Sequence, residues 1–156
     1  MEIQDTEPIT HQLETVNFTD ESRLPCVVTL QEIGDDICEL HFDQQNAPRL
    51  VFRSPVDFED PLTELRQELE RQGLLLLCNR FRRNAFVSSM ARQMSTGLSC
   101  YLVTRGLPVD PGNLVDSLGP APRETVVLAK EGARYIEEWI AGFDEDDDDD
   151  DDDYWP

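Results

Sequence analysis

The chain has 156 residues and a formal net charge of −20, from 33 acidic and 13 basic side chains. Ten of the acids lie in residues 144–153; the other 23 still outnumber the basic residues and leave the body at −10. That balance argues against direct binding of duplex nucleic acid or of anionic membranes, and it suits a basic protein partner or plain solubility.

The length fits one domain with a useful core. Residues 1–25 hold no apolar run of seven or more, and no stretch approaches the roughly 20 apolar residues of a membrane helix. The expectation is a cytoplasmic protein with no membrane partner. Residues 1–24 are polar without a sustained period and read as a flexible N-terminal arm. Residues 25–33, PCVVTLQEI, are rich in β-branched side chains and read as a strand. Gly34-Asp35-Asp36 is a turn signal, and ICELHF (37–42) alternates, with Cys38, Leu40 and Phe42 opposite Ile37, Glu39 and His41. The two strands form a hairpin, and a third strand, Leu50–Arg53, follows the loop DQQNAP.

A helix comes next. Asp60 suits the N-cap, Pro61 the first helical position, and Gly73 the C′ position, while Leu62, Leu65 and Leu69 share one face. LLLLC (74–78) reads as a central strand covered on both faces. Ser88 or Ser89 caps a short helix that ends at Gly97, with Met90 and Met94 on one face. LSCYLVT (98–104) is a further strand and LVDSL (114–118) a short one. A last helix runs from Val126 or Lys130 to Gly142, with Tyr135, Ile136, Trp139 and Ile140 on its apolar side. The expected fold class is α+β: a mixed, mostly antiparallel sheet of about five strands with two or three helices packed on it. Residues 25–143 make the single domain and 144–156 a disordered acidic tail ending in YWP.

Cys26, Cys38, Cys78 and Cys100 form no CxxC and have no histidine at metal-ligand spacing. They read as core thiols in a reduced compartment, and no metal or cofactor is expected. GxGxxG, HExxH, GxSxG and GxxxxGK[ST] are absent, and nothing marks a Cys78–His41 pair as activated. No catalytic residue is assigned, and an enzyme is the less favoured class.

One cluster stands out against the acidic background. Arg80, Arg82, Arg83 and Arg92 fall within thirteen residues, beside Ser88 and Ser89 at a strand-to-helix junction. Two readings are open. The six side chains converge on an anion or partner, as arginine forks and helix N-termini allow. Alternatively, each arginine balances a nearby carboxylate, worth about 0–1 kcal/mol at the surface. The tail is the second candidate site: Asp144, Glu145, Asp146, Asp147, Asp148, Asp149, Asp150, Asp151, Asp152 and Asp153 would dock a basic partner.

The run DPLTELRQELERQGLLLLCNRFRRNAFVSSMARQMSTGLSCYLVTRG, residues 60–106, resembles a stretch of small acidic bacterial proteins. The shared pattern is a glycine-ended helix, an apolar strand with cysteine, a polar loop, S-x-M and a second glycine-ended helix. Size, acidity and α+β order are also similar to immunity proteins of bacterial toxin systems. That resemblance implies a partner-binding role and brings no catalytic residues with it.

Overall fold

Alternating apolar positions build the first third of the chain into antiparallel strands. They are β1 (Ile9–Asn17), β2 (Arg23–Ile33), β3 (Ile37–Gln44) and β4 (Leu50–Ser54). A short β5 (Leu74–Leu76) pairs with the end of β1, giving the order β4-β3-β2-β1-β5. The computed structural model describes residues 7–34 and 36–146. Every pairing in the sheet is antiparallel. The register sets Leu13 beside Cys26, Val28 beside Phe42 and Leu40 beside Phe52, so one face is mostly apolar.

That face curls around α1 (Glu59–Arg71), which packs on β3 and on both edge strands, β4 and β5. Leu62, Leu65 and Leu69 are buried there, as the helical period requires. The helix starts one residue before Asp60. Phe58 holds the cap position without a side-chain bond, and Asp57 instead accepts the Asp60 N–H at 3.3 Å. At the other end Gly73 takes φ +84°, where a side chain is strained, and donates to Glu70 O.

The second unit is a three-stranded sheet of β6 (Ala85–Phe86), β7 (Ser99–Leu102) and β8 (Leu114–Asp116). Between β6 and β7 lies α2 (Ser89–Ser95), capped by Ser88, whose Oγ accepts the Ala91 N–H at 3.0 Å. The last helix, α3 (Ala129–Asp146), is fastened by Trp139. Trp139 is 2% exposed, donates Nε1–H to Leu107 O at 2.8 Å, and lies 5.2 Å from the Phe86 ring. The architecture is α+β, as expected, with three helices and eight strands among the described residues.

Three further expectations need correction. Residues 9–17 are a sheet strand and not part of a flexible arm. Two of the positions β1 turns toward the core, His11 and Thr15, are polar, which hid its period. Thr15 is 1% exposed and accepts a bond from Gln44 Nε2 at 2.9 Å. LLLLC supplies an edge strand and not a central one; it is buried because α1 covers it and residues 118–126 fold beside it, with Ala121 N–H donating to Leu77 O. Met90 and Met94 do share the outer side of α2, 66% and 79% exposed, while Ala91 faces inward. Finally, the backbone of α3 continues helical through Asp146, beyond the expected tail boundary at Phe143. Asp147–Asp153 and the YWP tip lie outside the described residues.

Candidate functional site

The arginine segment leaves β5, makes one 3-10 turn at Asn79–Phe81, and runs through β6 into α2. This path carries Arg80 back over the start of α1. Its Nε lies 2.9 and 3.1 Å from the two Glu59 carboxylate oxygens, and Nη2 lies 2.6 Å from Oε2. Burial opposes the Arg80 charge, but the hydrogen bonds and charge of Glu59 prevail and hold its pKa above the ordinary value. Arg92 does the same from α2. Its Nε lies 2.5 Å from Asp57 Oδ2, and Nη2 lies 3.1 Å from Asp57 Oδ1 and 2.8 Å from Asp60 Oδ1. The Asp57 hydrogen bond is the main cause that raises its pKa. Asp57, Glu59 and Asp60 are where the α1 dipole favours negative charge, and two arginines clasp them.

Arg83 points elsewhere, to Glu131 of α3 at 3.2 Å, with both side chains half exposed. Ser88 is taken by its cap, and Ser89 is exposed at the start of α2. Arg82 donates Nε–H to Asn79 Oδ1 at 2.9 Å and meets no carboxylate among the described residues. The six expected side chains therefore do not converge on one anion: Arg80 and Arg92 are committed to α1, Arg83 to α3, and of these four arginines only Arg82 keeps both terminal nitrogens without a partner among the described residues.

The sequence reading missed Arg66. It stands one turn after Leu62 and one before Leu69, on the flank of the apolar stripe of α1, and this placement was its available signal. Its guanidinium lies 4.4 Å from the Phe81 ring centroid, and Nη2 donates to Val127 O at 2.7 Å. Nε lies 3.3 Å from Glu70 Oε2 without an aligned hydrogen bond. Burial, helped by the charge of Arg80, pulls its pKa down to about 10. Arg66, Arg80, Arg82 and Arg92 line a cleft of about 470 Å³ between α1, the 80–87 segment and α3. Phe81, Phe86, Val87, Ala133 and Ile136 supply its apolar surface, and Glu59 and Glu137 also border it.

No family model and no curated protein matches this chain.

The arginine pairing extends over the molecule. Ten of the twelve arginines lie within 4.0 Å of a carboxylate oxygen. Arg82, Arg134 and Lys130 are the basic side chains left without one among the described residues. Exposed Glu7, Glu64, Asp110, Glu124 and Glu137 have no cationic partner there. His41 binds Glu39 through Nε2 at 2.9 Å, on the sheet face opposite Leu40 and Phe42. Cys78 is fully buried in the core, and burial pushes its thiol up to about 12, so it stays protonated at neutral pH. These placements give a Cys78–His41 nucleophile pair no support. Among the described residues no helix is long and apolar enough to cross a membrane.

Proposed function

We propose that this protein is a non-enzymatic binding module whose acidic surface engages a basic protein partner, in the manner of an immunity or inhibitor protein. The pairing of ten of twelve arginines with the protein's own carboxylates supports this reading. Most basic groups are spent internally, and Glu7, Glu64, Asp110, Glu124 and Glu137 face solvent. A surface of one sign steers an oppositely charged partner and raises the association rate more than the final affinity. Against a nuclease, such carboxylates would occupy the surface meant for phosphates.

The test is capture from host lysate with the full chain and with a chain ending at Phe143, then titration of the purified partner at rising salt. The expected result is a stoichiometric basic protein whose affinity falls steeply with salt and is unchanged by Arg82→Ala. Loss of capture with the shortened chain places the contact on residues 144–156, and equal capture places it on the folded body. Absence of a stoichiometric basic partner, or an affinity insensitive to salt, overturns the reading.

A further inference from the structure

The cleft between α1, the 80–87 segment and α3 has features the acidic-surface reading does not use. Its wall carries four guanidinium groups, but two are occupied: Arg80 by Glu59, and Arg92 by Asp57 and Asp60. Arg82 spends only Nε, on the neutral oxygen of Asn79, and its Nη groups have no partner among the described residues. Arg66 forms the inner wall, its charge paired with Glu70 at 3.3 Å and its Nη2 bonded to Val127 O. It is stacked on Phe81, beside Arg80, with Glu70 nearby but not aligned with its Nε–H. A buried cation in that position gains from any anion brought near it, because the surrounding dielectric is low.

We propose that this cleft binds a small organic carboxylate with an apolar body, its carboxylate on the Arg82 fork beside Arg66 and its body against Phe86, Val87, Ala133 and Ile136. The guanidinium fork matches a planar carboxylate through two parallel hydrogen bonds. The apolar surface accounts for the body, in the usual division of a pocket between a few polar anchors and an apolar lining. Glu137 at the cleft border selects by charge. It repels a dianion such as phosphate more than a monoanion, so a carboxylate is the better fit. Nothing in this site requires the acidic face to bind a protein, so the two readings stand or fall separately.

The probe is phenylacetate, titrated into the full chain and followed by the amide signals of Gly132, Ala133 and Ile136, all on the α3 wall. Saturable shifts are expected below about 10 mM, the range for one charged anchor and one ring. Phenylacetamide, which has the same shape without the charge, should bind at least about tenfold more weakly, since a hydrogen bond to a charged group carries that much. Arg82→Ala should cause a similar loss, and Arg82→Lys a smaller one because it keeps the charge without the fork. Glu137→Gln should tighten binding about two- to threefold by removing a like charge at the rim. Inorganic phosphate binding as well as phenylacetate would show a site indifferent to the apolar body and overturn the proposal. Equal binding of the amide would overturn it too, and this comparison needs no variant. So would an unchanged Arg82→Ala, or no saturable shift at the α3 wall.

Discussion

Arg80 and Glu59 form a two-pronged ion pair at the first residue of α1, with Nη2 2.6 Å from Oε2 and Nε within 3.1 Å of both oxygens. Glu59 is 8% exposed, and its carboxylate meets this guanidinium inside the protein. The pair ties the segment after β5 to the helix that fills the curled sheet. Arg80→Met removes one partner of a buried pair and should cost about 3 kcal/mol. Adding Glu59→Gln should recover part of that loss, because the stranded charge is gone. Urea unfolding of the two single variants and the double variant measures the coupling; purely additive losses would show that the pair contributes nothing as a pair.

Gly97 sits at φ +80°, where α2 ends against the start of α1. A Cβ there would meet the Glu59 backbone nitrogen at 2.7 Å, and a backbone atom cannot swing aside as a side chain does. Gly97→Ala should therefore destabilise by about 2 kcal/mol or more, combining strain with the clash. Gly34, also at positive φ but with open space around its Cβ position, is the control: Gly34→Ala carries the backbone strain alone. A smaller urea-midpoint shift for Gly97→Ala than for Gly34→Ala would contradict the close approach.

Glu39 is held below its ordinary pKa of 4.5 by the Arg53 hydrogen bond, against burial and with help from His41. A lowered folded-state pKa means that the native state binds this proton less readily than the unfolded chain. The stability it contributes is present above pH 4.5 and is lost as pH falls through the folded value. Wild type should lose stability more steeply than Glu39→Gln below pH 4.5. Urea midpoints from acid to neutral pH read this directly, and parallel curves would exclude the linkage.

Burial pushes the thiols of Cys26 and Cys78 up from 9.0 to about 12 and raises Cys100 as well. Folding thus favours the protonated thiols. Their contribution is full below pH 9.0 and is lost as pH rises toward 12. At mildly alkaline pH a disulfide reagent should label the native protein only as fast as it opens, and label all four cysteines at once in denaturant. Fast labelling of Cys78 in the native state would contradict its burial.

Local chemistry made several elements legible. The leucine spacing and Gly73 marked α1, alternation marked the β2–β3 hairpin, and Ser88 capped α2 as expected, because each signal acts within a few residues. β1 escaped because Thr15 and His11 interrupt its apolar side. Thr15 accepts its side-chain hydrogen bond from Gln44, 29 positions away. Arg66 escaped because a lone arginine beside a leucine stripe reads as solvated until Phe81 and Val127 close over it.

Composition by itself determined the acidic character of this protein, since charge adds along the chain whatever the fold. The order of apolar and turn residues determined the α+β class for a similar reason: periodicity and caps are local. The fate of the clustered arginines was decided only in three dimensions. Arg80 and Arg92 meet acids 21 and 35 residues away, Arg83 meets one 48 residues away, and Arg82 meets none among the described residues. A side chain's reach is a few ångströms, and the chain's path, set by the packing of α1 and α3 against the 80–87 segment, chooses what lies within it.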